Sequence, residues 1–160
     1  MANEIASEIK VPIRFTKRPR PISPDFRPDW KISVLLLVLQ FGSRGRKSSL
    51  TRLHVLNWAV RSDRHRKELL ATIEADAPLF AFNVRFEPAF SRAVDLAAAA
   101  GLVSWVGGKR LELNATGSEI ATNLKKHSDL FVPELDFLET VGKSLTEPAA
   151  LRLAKGADIV

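Results

Sequence analysis

The chain has no cysteine. Disulfide frameworks and thiolate metal sites are therefore excluded. The three histidines, His54, His65 and His127, have no mutual spacing that would make them joint ligands. Long apolar runs are missing as well. The longest, residues 34–39, falls far short of the roughly 20 residues that a membrane-crossing helix needs. The N-terminus lacks the apolar stretch of a secretory signal, so the expectation is a cytoplasmic chain with no membrane association. No metal and no cofactor are expected.

Acidic side chains are scarce where basic ones are dense. From Lys10 to Lys67 there are fifteen Lys and Arg against Asp25, Asp29 and Asp63, giving +12. Residues 68–160 carry nine basic against thirteen acidic side chains, giving −4, and Glu4 and Glu8 bring the total to +6. Such a split suits an anionic partner for the first third, either phosphate backbone or an acidic protein surface. The plainer alternative is a solvated basic face.

At 160 residues and 46% hydrophobic content the chain can bury one ordinary core. We divide it into a proline-rich basic arm (1–29), a central domain (30–127) and a C-terminal helical extension packed on the same domain (128–160). Five of nine prolines, Pro12, Pro19, Pro21, Pro24 and Pro28, precede Trp30 and are interleaved with basic residues. Proline fixes φ and donates no hydrogen bond, so the arm should be extended. Arg14, Phe15, Lys17, Arg18 and Arg20 are its candidate partner contacts.

Beyond the arm the pattern turns helical. Trp30, Val34, Leu35, Val38 and Phe41 recur at helical spacing with almost no polar face, which predicts a core helix ended by Gly42. Ser48 or Ser49 can cap a second helix with Leu50, Leu53, Leu56 and Val60 on one stripe; His54 and Asn57 within it read as hydrogen-bonded polar groups at a helix contact. Ser62 or Asp63 can cap a third, which opens with Arg64, His65, Arg66 and Lys67. Cations at a helix N-terminus oppose the macrodipole by about 0.3–1 kcal/mol each, so this cluster reads as a binding feature unless neighbouring acids compensate it.

Residues 79–86 read as a short strand or extended connector. A fourth helix over 88–100 buries Phe90, Val94 and Ala97, with Gly101 as a left-handed cap. Residues 102–113 read as a hairpin turning on Gly107-Gly108, with Trp105 opposite Arg110 at the tip in a cation–π pair. Thr116 and Glu119 have capping-box spacing for the next helix. Pro133 to about Leu145 and a short terminal helix capped by Thr146 complete the reading. The expected class is mainly α with a small β wing, a winged helix-turn-helix-like domain with an extended N-terminal arm.

Catalytic constellations are not evident. The run "GSRGRKS" fails the phosphate-loop spacing and follows a helix rather than a strand. Glu87 and Asp95 offer no paired acid–base geometry, and Ser48, Ser49 and Ser91 lack an evident base. The helix over 88–100 is nearly uncharged on its would-be reading face, with only Arg92 against Glu87 and Asp95. Arg44, Arg46, Lys47, Arg64, Arg66, Lys67, Lys109 and Arg110 are the candidate nucleic-acid contacts. Arg92 and Trp105 join the arm as candidate partner contacts.

The run "GLVSWVGGKRLELNATGSEIA", with a helix-ending glycine, a hairpin and "LNATG", resembles the wing region of winged-helix proteins, Asn114 standing where threonine is usual. Together with "SLTRLHVLNWAVRSDRHRKELLATI" and "FEPAFSRAVDLAAAAGLVSWVGGKRLELNATG", the chain resembles the middle components of ABC-three-component systems, which include Lamassu-type anti-phage defence complexes. That resemblance implies a non-catalytic accessory subunit. Its implied partners are a large SMC-like ATPase, a nuclease effector and double-stranded DNA backbone. It carries over no residue-level site. The competing expectation is a dimeric winged-helix transcription regulator.

Overall fold

The computed structural model describes Ser23, residues 26–75, Val84, residues 86–142 and residues 144–157. Most of the proline-rich arm and most of the connector before Phe86 lie outside that set. The described chain is mostly helical with one small antiparallel sheet.

Helix α1 (Pro28–Phe41) starts with proline in its first turn, where the missing N–H costs nothing, and stops at Gly42, whose N–H donates to Val38 O. Residues 34–39 are all buried, so α1 runs through the core rather than along it. Strand β1 (Lys47–Ser49) follows a tight turn, Arg44–Arg46. Helix α2 (Leu50–Val60) is capped by Ser49, whose Oγ accepts from Arg52 N–H, and every residue from Arg52 to Val60 is buried. Helix α3 (Asp63–Ala75) is entered through Ser62, whose Oγ accepts from His65 N–H. It buries Leu69 fully and packs Leu70 and Ile73 against the core.

Helix α4 (Pro88–Ala99) buries Phe90, Ala93, Val94 and Ala97. At its end Gly101 has φ +70°, Leu102 N–H donates to Ala97 O and Gly101 N–H to Ala98 O, which is a Schellman closure. Strands β2 (Val103–Val106) and β3 (Arg110–Leu113) form the hairpin, and β3 also pairs with β1, giving the order β1-β3-β2. The sequence reading held no first strand. Its three residues carry no period of their own, and pairing with β3 is what makes them a strand.

Two local expectations are corrected. Lys109 N–H does close a turn on Val106 O across the two glycines, but the strands pair Val106 with Arg110 and Trp105 with Leu111. The extra residue, Lys109, slips the register by one and puts Trp105 and Arg110 on opposite faces, so they form no cation–π pair. Nor does a capping box open helix α5 (Ala115–Lys126). Thr116 and Glu119 are exposed, and the cap residue Asn114 sends its side chain backwards. Its Nδ2 donates to Gly101 O at 3.0 Å and its Oδ1 accepts from Ser104 Oγ at 2.8 Å. "LNATG" thus stitches the end of α4 to the hairpin and to α5. Gly117 completes the stitch, because a Cβ there would lie 2.3 Å from Leu102 O.

Helices α6 (Val132–Val141) and α7 (Glu147–Ala157) bring Phe137, Leu138, Val141, Leu145, Ala150 and Leu153 into the core formed by α1 and α2. Helix α6 ends at Val141, four residues earlier than the apolar spacing suggested, where Gly142 sits against Gly42. No described helix is long and apolar enough to cross a membrane.

Candidate nucleic-acid interface

Gly42 releases the chain from α1, and Gly45 and Arg46, with φ +62° and +57°, turn it into β1. That turn separates the basic residues which the sequence grouped together. Arg44 and Lys47 line a pocket of about 260 Å³, joined by Arg110 from β3 and by Arg52, Thr146 and Glu147. Arg46 turns away, donating from Nη1 to Ser118 Oγ at 3.3 Å. The cross-strand partners Lys47–Glu112 and Ser49–Arg110 share one face of the sheet, and Lys47 Nζ lies 3.1 Å from Glu112 Oε1. Ser48 and Leu111 occupy the other face, fully buried. Lys109 is exposed at the hairpin turn.

Two residues at the base of this pocket were not singled out from sequence. Arg52 is buried, and its five N–H donors meet five neutral oxygens: Leu145 O, Ser43 Oγ, Ser48 Oγ, Gly42 O and Gly142 O. Burial lowers its pKa from the ordinary arginine value, Glu147 opposes that shift and Arg44 adds to it. Glu147 is held in turn by Ser49, which donates to it from both N–H (3.0 Å) and Oγ. The available signal was a lone arginine set between Leu50 and Leu53 in an otherwise apolar helix.

The α3 cations have a different setting, and none of them lines the pocket. Arg64 Nε lies 2.6 Å from Glu68 Oε1 and Lys67 Nζ 2.7 Å from Asp63 Oδ2, both at i,i+4. Hydrogen bonding to Lys67 holds Asp63 below its usual pKa, and Glu68 raises that of Arg64. Arg66 is mostly buried, donates to Val60 O at 2.9 Å and lies 4.0 Å from Glu134. Neighbouring acids thus answer the unfavourable dipole placement.

Arg92 is exposed on α4 beside Ala89, Asp95 and the half-exposed Leu96, and Trp105 and Val106 are exposed near the hairpin turn. The arm residues Arg14, Phe15, Lys17, Arg18 and Arg20 lie outside the described residues.

A second polar group lies under α4. Lys31 Nζ donates to Glu87 Oε2 at 2.7 Å, and Asn57 Nδ2 donates to the same oxygen at 3.2 Å. Ser91 Oγ lies 3.2 Å from His54 Nε2, which corrects the expectation that Ser91 has no base near it. Burial lowers the His54 pKa, against the pull of Glu87. His54 Nδ1 and Asn57 Oδ1 have no hydrogen-bond partner among the described residues, so no carboxylate there orients the imidazole as a triad would require. His65 is stacked on Trp58 and its Nδ1 lies 3.1 Å from Trp58 O. Among the described residues no three His, Asp or Glu side chains cluster as a metal site.

No family model matches this chain, and neither a curated protein nor a solved structure does.

Proposed function

We propose that the chain is a cytoplasmic, non-catalytic accessory subunit with a winged-helix-like domain, which touches nucleic-acid backbone through the sheet edge and protein partners through α4 and the hairpin. The sheet order β1-β3-β2, with α4 leading directly into the hairpin, supports the winged-helix reading. The observation that carries the function is where the cations stand. Arg44, Lys47 and Arg110 converge beside the sheet, while the exposed face of α4 offers Ala89, Arg92, Asp95, Leu96 and Ala99. Backbone contacts need cations; base readout needs Arg, Asn or Gln aimed at base edges, and one arginine flanked by an acid is a poor reader. This favours a subunit over a dimeric transcription regulator.

Within that reading, the resemblance to ABC-three-component middle components supplies the partners: a large SMC-like ATPase and a nuclease effector, with double-stranded DNA as the sensed polymer. The test is affinity capture of the tagged chain from its native host, with and without nuclease, followed by mass spectrometry. Recovery of a large ATPase and a second protein despite nuclease is the expected result. Capture of the chain alone, with defined DNA fragments that vanish on nuclease treatment, would replace this reading with the regulator.

A further inference from the structure

We infer that the pocket between the Arg44 turn, the sheet and the start of α7 grips a single phosphate of a nucleic-acid backbone, with Arg44, Lys47 and Arg110 sharing that one group. The inference rests on the proposal that the basic surface meets nucleic acid, and adds which cations act and in what number.

Three observations lead there. The three cations come from separate elements, a turn and two neighbouring strands, yet they wall one concavity instead of spreading along a face. At about 260 Å³ that concavity lies below the range of pockets that enclose drug-sized ligands, and suits a phosphate with part of its sugar rather than a whole nucleotide. The Arg110 side chain makes no hydrogen bond or ion pair among the described residues, so its guanidinium donors are unspent. A guanidinium fork with unspent donors is the side chain best matched to two phosphate oxygens.

The pocket's floor adds charge without competing for the ligand. All five Arg52 donors are used on protein oxygens, so Arg52 cannot bind the phosphate directly, but its positive charge remains beneath the site. Glu147 is turned to Ser48 and Ser49, which occupy its oxygens. It is the single acid of the lining against four cations. Lys47 has Glu112 at 3.1 Å on the neighbouring strand, much as Arg64 has Glu68 and Lys67 has Asp63 on α3; what sets Lys47 apart from the α3 cations is its place on the pocket wall.

A shared phosphate has a numerical signature. Each phosphate neutralised contributes about 0.9 to the slope of log affinity against log salt, whatever the number of cations that touch it. The full chain is titrated against a fluorescein-labelled duplex by anisotropy at several salt concentrations, alongside calorimetry with inorganic pyrophosphate. Variants are the exposed single Arg110→Gln, the triple Arg44→Ala/Lys47→Ala/Arg110→Ala, and the comparison pair Arg64→Ala/Lys67→Ala. Melting curves establish that each is folded; if the triple is not, Arg110→Gln decides by its slope, which stays unchanged where Arg44 and Lys47 share the phosphate and falls by about 0.9 where Arg110 holds one of its own.

The expected result is a loss of at least tenfold in duplex affinity for the triple, with a slope reduced by about 0.9, and little change for the α3 pair. A slope reduced by about 2.7 would mean three separate phosphates and would overturn the shared grip while leaving duplex binding intact. Unchanged binding in the pocket variants with loss in the α3 pair would overturn the site itself. Pyrophosphate uptake without duplex binding would make a small phosphate compound the occupant and reject the backbone assignment. No binding of either by the wild type would reject both the pocket and the nucleic-acid reading.

Discussion

Lys31 Nζ meets Glu87 Oε2 at 2.7 Å, tying the first turn of α1 to the residue that precedes α4 across 56 positions of chain. The lysine side chain is 2% exposed and the carboxylate 17%, so both charges have left water. Removing one partner of such a pair leaves the other buried without compensation, at a typical cost of about 3–5 kcal/mol, whereas replacing both with apolar groups costs much less. Glu87→Ala is expected near the lower end, about 3 kcal/mol by urea unfolding, because the carboxylate keeps 17% of its exposure and the site is not fully dry. The double variant Lys31→Met/Glu87→Leu is expected to regain most of that loss. A single-variant cost under about 0.5 kcal/mol, the scale of a surface change, would show that the pair is not holding α4.

His54 makes stability fall on the acid side. Burial depresses its folded pKa below the unfolded value of about 6.5, so the unfolded chain takes up a proton that the folded one resists. The contribution is fully present above about pH 6.5 and is lost as pH falls toward the folded pKa. Melting temperature from pH 8 to 5 should therefore drop more for the wild type than for His54→Gln, which keeps a polar side chain and has no titration. Parallel curves would dissociate the imidazole from the acid sensitivity.

Two glycines separate space from conformation. At Gly117 a Cβ would press within 2.3 Å of Leu102 O and 2.8 Å of Leu113 Cδ1, so Gly117→Ala should cost about 3 kcal/mol, the upper end for overpacking. Gly107 has open space but φ +60°, and Gly107→Ala should cost only the left-handed penalty of about 1 kcal/mol. Calorimetric melting of the two variants under one buffer reads the difference directly.

Arg52 is expected to tolerate no common replacement. Arg52→Met strips donors from the carbonyls of Gly42, Gly142 and Leu145 at once, and orphaned buried acceptors cost about 1–3 kcal/mol each. The loss should reach about 4 kcal/mol. Arg52→Lys restores charge but has three donors for five acceptors, so it should recover only part. Equal stability of the lysine variant and the wild type would mean that charge alone, not the fork of donors, is required.

What was legible in the sequence was local. The buried stripe of α4 and its Gly101 cap, the capping serines before α2 and α3, and the apolar body of α1 all follow from neighbours three or four residues apart. The α3 compensation was legible too, since Asp63–Lys67 and Arg64–Glu68 have the i,i+4 spacing of helix pairs. Distant choices were not. Three residues of β1 become a strand only because β3 lies beside them, and one unpaired residue, Lys109, decides which face Trp105 takes. Lys31 and Glu87, or Ser49 and Glu147, look like ordinary surface charges and hydroxyls until the fold brings them together. The basic pocket followed the same rule: Arg44, Lys47 and Arg110 were each nameable, but their meeting point needed the register of a sheet and the start of α7.

The reach of Arg52 also sets the order in which a growing chain can mature. Its guanidinium binds oxygens on residues 42, 43 and 48 and also on residues 142 and 145. While the polypeptide is being synthesised, the apolar bodies of α1 and α2 leave the ribosome about ninety residues before the α6–α7 turn that covers them and satisfies that arginine. The Arg52 guanidinium must therefore wait, incompletely bonded, for the carbonyls of Gly142 and Leu145 to emerge, so the contact between α2 and the α6–α7 turn can close only late in synthesis.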